Sequence, residues 1–389
     1  MGKFISGRKD LMNRLRSFKK KHPEKPIWFH VASLGEYEQA KPIINELKAR
    51  KPNAKLVVSF FSPSGYEPAS KKDQPNVDFV SYLPLDLKGD ATEFVRVLDP
   101  SLAFFVKYDL WYEHIQALKN QNVPTFLVSA LFRPKQAYFK SNGFFRKILF
   151  QLDHIFTQNE ASLNLLAGIG YENASITGDT RFDRVHQNAT NPQKFPQIET
   201  WISDRKAVVL GSVWEEDMIR LIPLINSHSE YRWIIAPHDL NQEKMREWAK
   251  KMKLRVGFYT QAGWNDSPNV LFLDTMGMLS SVYQYAHIAY VGGGFGSGLH
   301  NILEPIGFKV PVIFGKVRLA TKFPEAKLSQ EKGCGFEIET AEDLELIFNK
   351  LSTEDSYQKA SRSAENWLRE NLGAAKKICD EVDLILEKS

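Results

Sequence analysis

The sequence predicts an α/β protein made of two doubly wound parallel sheets in tandem, each covered by helices on both faces. Three observations predict it. Apolar, β-branched and aromatic runs of strand length alternate with segments of helical pattern through most of the 389 residues; such alternation places parallel strands beneath helices. The alternation pauses once, at the polar stretch 184–200 with its Pro192 and Pro196, and then restarts. The length also exceeds what one ordinary hydrophobic core serves, which suggests two domains of roughly 200 residues or fewer.

In the first half, strands are expected at 26–31, 55–61, 78–82, 102–106, 125–129 and 154–157. Ser33-Leu34-Gly35-Glu36 turns the first strand into a helix running to about residue 50. In the second half, strands are expected at 207–211, 232–236, 270–273, 288–292 and 310–314, and 341–389 reads as helical. The organisation expected is a basic segment at 1–26, a Rossmann-like domain at 27–190, and a second one with terminal helices at 200–389. Two such domains facing a central cleft form a GT-B-like architecture. Ligands of open α/β sheets sit at the carboxyl ends of strands, so a substrate is expected in that cleft.

Composition is that of a soluble globular chain, 43% apolar and 25% charged. Cys334 and Cys379 form no CxxC pair and lie in no zinc-like Cys/His spacing, so they are expected to be reduced, buried thiols of a cytosolic protein. No apolar run is long enough to span a membrane and no signal peptide is present. The first 25 residues carry nine Lys/Arg against Asp10 and Glu24, a surplus of seven in a chain whose net charge is +5. Phe4, Ile5, Leu11, Met12, Leu15 and Phe18 interleave with those charges at near-helical spacing. A basic amphipathic helix fits an anionic lipid surface, and a solvated lead-in helix fits the same pattern. No nucleic-acid motif accompanies the charge, so nucleic acid is not an expected partner.

Chemistry concentrates at strand ends. The segment 290–305, YVGGGFGSGLHNILEP, runs from a strand through five glycines toward a helix start. Glycines permit close approach of backbone to an anion, and N–H groups at a helix start can hold a phosphate. Glu304, three residues after Asn301, could accept both ribose hydroxyls of a nucleotide; a Gly-rich turn with a capping-box Glu is the structural alternative. The segment has neither the order of a dinucleotide fingerprint nor the Gly-Lys-Ser/Thr of a Walker loop. Ser212 and Glu215, Pro237 and His238, and Gly277, Met278 and Leu279 follow three other strands of this half, where ordinary βα loops are the alternative.

In the first half, Glu36 begins a helix after the first strand, either as a first-turn carboxylate favoured by the helix N-terminus or as a general base. Lys107 and Asp109 follow another strand, and Arg181 lies in TGDTRFD (177–183) just before the pause. Solvated loop charge is the alternative for all three.

In this order these pieces resemble the Kdo (3-deoxy-D-manno-octulosonic acid) transferases of lipopolysaccharide synthesis. HVASLGE (30–36) is similar to that family's H-x-V-S-x-G-E, TGDTRFD to T-G-x-x-K/R-F-D, and DTMGML (274–279) to D-T-M-G-E-L. GGGF followed by HNILEP (300–305) is similar to G-G-S-F followed by G-H-N-P-L-E-P, and PVIFG (311–315) matches the family's strand. The resemblance implies an inverting glycosyltransferase that moves Kdo from CMP-Kdo to a lipid A precursor at the cytoplasmic face of the inner membrane. It implies Glu36 as proton acceptor and Arg181 as transition-state stabiliser. It also implies donor contacts from Pro237 and His238, from Gly277 to Leu279, and from Asn301, Ile302, Leu303 and Glu304. No Asp-x-Asp motif is present, so no metal or other cofactor is expected. Where the family has Glu-x-Glu-Leu-Trp-Pro, this chain has Lys107-Tyr108-Asp109-Leu110-Trp111-Tyr112, and a cation at Lys107 could hold the Kdo carboxylate. Pro-Arg has become Pro237-His238, Gly-Glu-Leu has become Gly277-Met278-Leu279, and Lys316-Val317-Arg318 lacks the family's Pro-Asn or Pro-His. Family members usually begin with a membrane-spanning helix; this chain runs from Met1-Gly2 into the basic segment, so an anchor is expected to be absent from it. The competing expectations are another GT-B enzyme using a UDP-sugar and a noncatalytic nucleotide-binding protein at the membrane.

Overall fold

The structure, a computed structural model, describes residues 7–71, 73–140, 143–261, 267–296, 298–318 and 322–388. It comprises two compact units, residues 1–184 with 371–389, and residues 185–370.

The first unit is a seven-stranded parallel sheet. Its strands are β1 (Ile27–Val31), β2 (Leu56–Phe60), β3 (Phe79–Tyr82), β4 (Leu102–Val106), β5 (Thr125–Ala130), β6 (His154–Thr157) and β7 (Ala174–Ile176) in the order β3-β2-β1-β4-β5-β6-β7. The second repeats the plan with β8 (Ala207–Val213), β9 (Arg232–Pro237), β10 (Val256–Phe258), β11 (Val270–Phe272), β12 (Ala286–Val291), β13 (Val312–Gly315) and β14 (Gly335–Ile338) in the order β10-β11-β9-β8-β12-β13-β14. The central strands β1, β2, β4 and β5 are buried at every residue. Helices on both faces of the sheet therefore require continuous apolar runs rather than alternation, and those runs are what the sequence displays.

Three strands escaped the sequence reading: β7, β10 and β14. Each is the last strand at an edge of its sheet, has three or four residues, and is only partly buried. An edge strand has one neighbour and little apolar cover, so it leaves no strong run in the sequence.

Two stretches depart from the expected organisation. The polar stretch 184–200 is largely helical, within Thr180–Thr190 and Pro196–Ile202, and the boundary between units falls at Arg184/Val185. The last helix, Ala374–Glu387, expected to finish the second domain, belongs to the first unit. Its Ile378, Cys379 and Val382 share a core with Ile43, Ile44 and Leu47 of helix Leu34–Arg50. Arg50 bonds Asp380 at 2.6 Å and Asp383 at 3.1 Å, and Asp183 caps the helix by accepting from Gly373 N and Ala375 N at 2.6 and 2.7 Å. Cys334 and Cys379 are free, buried thiols, one in each unit, both pushed up to about 12 chiefly by burial.

The basic N-terminal segment is also part of the first unit. Helix Leu11–Lys21 buries Leu11, Leu15 and Phe18 in the core that holds Trp28, Val57 and Phe94. Arg8 donates to Leu83 O and Phe61 O, and Arg14 to Tyr66 Oη. Leu11, Leu15 and Phe18 of the stripe expected to meet lipid are therefore committed to the protein's own core, and the solvent side offers Lys20 and Lys21. Lys3, Phe4 and Ile5 lie outside the described residues.

Candidate active site

In each sheet the order of strands reverses direction once, and there the loops from neighbouring strand ends diverge and leave a crevice. In the first unit that point lies between β1 and β4, in the second between β8 and β12. Glu36, Lys107 and Asp109 follow the strands of the first point, and Ser212, Glu215 and the glycine-rich segment those of the second.

At the first, Glu36 is the third residue of helix Leu34–Arg50, which follows the turn from β1. Its Oε2 accepts from Ala32 N and Ser33 N, both at 2.9 Å, and from Ser33 Oγ at 3.2 Å. These three contacts all fall on Oε2. The capping reading and the general-base reading are thus compatible. The helix start alone would favour the charged form, but Glu36 is only 9% exposed. Burial raises its proton affinity, the nearby Asp109 raises it further, and Lys107 and Ser33 oppose them. The net direction is upward, the direction a base working near neutral pH needs.

Across the crevice, Lys107 leaves β4 with φ of 72°, a left-handed conformation unusual for a side chain of this size, while its N–H still bonds Val128 O at 2.8 Å. That turn delivers Asp109 to His30 of β1: Asp109 Oδ2 lies 3.0 Å from His30 Nε2 and 3.0 Å from Trp111 Nε1. Glu36, Lys107 and Asp109 are therefore one electrostatic cluster. Arg181 has a different setting. Asp179 holds its guanidinium at 2.8 Å and accepts from its backbone N–H at 2.9 Å. The adjacent Thr180 ties this turn to helix Leu34–Arg50 through Gln39 O at 2.8 Å.

Aromatic side chains border the cluster. Tyr138 donates to Tyr108 O at 3.0 Å, its ring meets Phe145, and Phe144 meets Tyr112. Phe144, Phe145 and Phe150 are about half exposed, at 52%, 47% and 49%, and Arg146 and Lys147 lie between them in the chain.

At the second point the glycine-rich loop differs from the expectation of N–H groups waiting for a phosphate. The N–H groups of Gly293, Gly296, Gly298 and His300 already bond Asp217, Gly293 O, Gly293 O and Gly292 O. A Cβ on Gly292 would stand 2.4 Å from Ser212 O, and one on Gly294 2.1 Å from Gly315 O. These glycines let the loop pack on the ends of β8 and β13. The helix that follows, Leu303–Gly307, has only five residues, too short to act as a strong dipole. Asn301 Oδ1 accepts from Leu303 N at 3.2 Å and its Nδ2 faces Glu304 Oε1 at 3.4 Å. Asn301 and Glu304 are partly exposed, whereas Ile302 and Leu303 are core residues that can offer a ligand only backbone.

Among the other candidates, Ser212 occupies a bulge of β8 with φ of 53°. Glu215 bonds Trp248 Nε1 and lies 3.7 Å from Lys251 Nζ, so its carboxylate is engaged by helix Gln242–Lys251. Pro237 and Met278 are buried, Leu279 is half-buried, and Gly277 is exposed at a left-handed turn with φ of 91°. His238 is exposed and stacks on Trp214 at 4.3 Å and on His300 at 4.5 Å. Trp214 Nε1 donates to His300 Nε2 at 3.2 Å, and burial together with His238 pushes His300 down to about 4, so it stays neutral. Trp214 and His300 were missed as site residues; no periodicity marks partners 86 positions apart. Among the described residues, no group of three or more His, Cys, Asp or Glu is placed to hold a metal ion, and no helix is long and apolar enough to cross a membrane.

Residues 9–184 match the family model of 3-deoxy-D-manno-octulosonic-acid transferases. The chain is 29% identical to the 3-deoxy-D-manno-octulosonic acid transferase of Haemophilus influenzae, over 94% of this chain and 88% of that protein. It is 28% identical to the transferase of the same name from Chlamydia trachomatis, over 88% of this chain and 82% of that protein. In fold it is similar to the UDP-GlcNAc 2-epimerase of Neisseria meningitidis, with a TM-score of 0.66, 16% identity, and coverage of 94% of this chain and 100% of that one. It is also similar to MurG of Acinetobacter baumannii, with a TM-score of 0.58, 12% identity, and coverage of 94% and 100%. The two parallel sheets are those of the GT-B architecture.

Proposed function

We propose that this chain is a member of the Kdo transferase family and an inverting transferase that moves Kdo from CMP-Kdo to a lipid A precursor, with Glu36 as its base. The coarser statement, a glycosyltransferase of Kdo in lipopolysaccharide synthesis, is supported by the similarity to transferases of that name. The observation that carries the finer one is the carboxylate cluster at the crevice between β1 and β4, where Glu36 is buried beside Asp109 and Lys107.

The reaction asks for little else. Glu36 takes the proton of the acceptor hydroxyl. The acceptor oxygen bonds the anomeric carbon, the bond from that carbon to the CMP phosphate breaks, and its electron pair leaves on the phosphate. One displacement inverts the anomeric centre. Lys107 and Arg181 would stabilise the developing charge. The donor carries its own leaving group, so the reading invokes no resident cofactor or metal. Incubation with CMP-Kdo and a tetraacylated lipid A precursor, with product mass measured, tests it. A mass gain of one or more Kdo units is expected, and its absence overturns the reading. Thermal stabilisation by CMP and not by UDP separates it from a UDP-sugar enzyme.

Donor binding is assigned to Asn301, Glu304 and His238, three of the partly or fully exposed polar candidates of the second unit. Glu304 is expected to accept from the ribose hydroxyls. Glu304→Ala should then weaken CMP by about 1.5–3 kcal/mol, the range for a hydrogen bond to a charged group. Calorimetry showing unchanged affinity removes that contact.

A lipid acceptor requires work at an anionic membrane surface on the cytoplasmic side. With the apolar stripe of helix Leu11–Lys21 committed to the core, the exposed Phe144 and Phe145, flanked by Arg146 and Lys147, are the better lipid contact. The double variant F144S/F145S is expected to lose about tenfold or more of its binding to anionic vesicles, from the apolar area withdrawn. Neutralising Lys19, Lys20 and Lys21 should mainly flatten the salt dependence. Sedimentation with vesicles checks both; equal binding by F144S/F145S and wild type refutes the aromatic contact.

A further inference from the structure

Beneath the cluster at β1 and β4 lies a buried chain of hydrogen bonds that the reaction above does not use. Trp28 and His30 lie on β1, and Ser59 stands opposite His30 on β2. Trp28 Nε1 donates to Ser59 Oγ at 2.9 Å, Ser59 Oγ lies 2.9 Å from His30 Nδ1, and His30 Nε2 lies 3.0 Å from Asp109 Oδ2. All three of Trp28, His30 and Ser59 have zero exposure, so no water intervenes.

The protons can be counted along this chain. Trp28 can only donate, so Ser59 Oγ accepts from it. At the other end, the carboxylate oxygen Asp109 Oδ2 can only accept, so His30 Nε2 is the donor, and in the neutral ring Nδ1 then accepts the one proton of Ser59. The neutral imidazole therefore carries its proton on Nε2 and donates it to Asp109. Trp111 Nε1 lies 2.9 Å from His30 Nε2 and 3.0 Å from Asp109 Oδ2; with Nε2 protonated, its N–H goes to Asp109 too. A cationic His30 would leave the Ser59 proton without an acceptor in this chain. The pair thus carries its net charge on Asp109, whose Oδ2 receives two N–H bonds.

We propose that the Trp28–Ser59–His30 chain fixes the Asp109 carboxylate in the crevice that also holds Glu36; His30 and Asp109 are then positioning residues that act through Glu36 and carry no proton of the reaction. The proposal deepens the base assignment and rests on that reading. The charged and polar groups facing Glu36 are Asp109 and Lys107 from the turn after β4, and Ser33 from its own turn. A carboxylate held ionised close by favours the protonated form of its neighbour, so it raises the affinity of Glu36 for the hydroxyl's proton. Lys107 opposes it.

The sign of the test follows. Removing the Asp109 charge lowers the proton affinity of Glu36, so its titration midpoint moves to lower pH. The measurement is infrared titration of carboxylate bands, with Glu36 identified by subtracting E36Q, in the full chain without substrate. D109N is expected to lower the proton affinity of Glu36 by about tenfold or more. S59A, buried within β2 and away from the crevice surface, should move the midpoint the same way by less. H30Q, which can still offer an N–H to Asp109, should stay closer to wild type than H30A. An unmoved midpoint in D109N, or a shift to higher pH, overturns the proposal. The titration does not depend on turnover, so it scores the proposal even if E36Q retains activity and the base reading fails. Circular dichroism of each variant separates loss of fold from loss of charge.

Discussion

Glu36→Gln is expected to lose about 10²–10⁴-fold in turnover, the range for removing a general base. The substitution changes little else. The glutamine side-chain oxygen can take over the bonds from Ala32 N, Ser33 N and Ser33 Oγ that Oε2 now accepts. Loss of charge at the helix start should cost only about 0.3–1 kcal/mol of stability. The substrate-free fold and CMP affinity should therefore survive, because the groups assigned to CMP belong to the other unit. Turnover against the lipid acceptor, CMP calorimetry and a melting curve on the same preparation separate these effects. A Gln variant within about threefold of wild-type turnover would remove Glu36 from the role.

The second large effect is expected at Asp217, which the sequence did not single out. Its carboxylate is fully buried and accepts from Trp214 N at 2.9 Å, Gly293 N at 3.0 Å and Tyr290 Oη at 2.7 Å. One side chain thus ties the end of β8, the end of β12 and the glycine-rich loop together. Asp217→Ala strands three buried donors and opens a cavity. It should cost the second unit about 3–5 kcal/mol, since each unsatisfied buried group costs about 1–3 kcal/mol and the costs overlap. CMP affinity should fall with it, because the loop leading to Asn301 and Glu304 loses its anchor. Asp217→Asn is expected to be much milder: its carbonyl oxygen can serve Trp214 N and Gly293 N, while its NH₂ faces Tyr290 Oη, an oxygen able to accept. Burial raises the proton affinity of Asp217, which agrees with a role that needs acceptor oxygens more than charge. Urea unfolding of both variants, followed by CMP titration, checks the pair of expectations. Equal destabilisation by Ala and Asn would mean that the charge itself matters.

The first of these sites was legible in the sequence and the second was not, and the difference is physical. Glu36 belongs to a strand–turn–helix read over seven consecutive residues, where local chain geometry decides position. Asp217 gained its partners from residues 73 and 76 positions away. Its sequence context, three acidic residues in the first turn of a helix, looks like ordinary favourable charge at a helix N-terminus.

Local order along the chain determined the α/β class, the central strands of both sheets and the helix carrying Glu36. Strands buried on both faces must be continuously apolar, and a helix start needs its acceptors within a few residues. Composition and order of motifs likewise placed candidate chemistry at strand ends. Other features were decided only by tertiary structure. The edge strands β7, β10 and β14 exist because a neighbour is there to pair with. The last helix joined the first unit because Asp183 and Arg50 hold it, although its place in the chain adjoins the second. The lipid-like stripe of helix Leu11–Lys21 became core because the sheet offered a dry face to cover it. Asp109 became a partner of His30, 79 residues away, because the strand order sets β1 beside β4. Neither partner's sequence neighbourhood carries a trace of that adjacency, since a hydrogen bond between distant segments imposes no period on either.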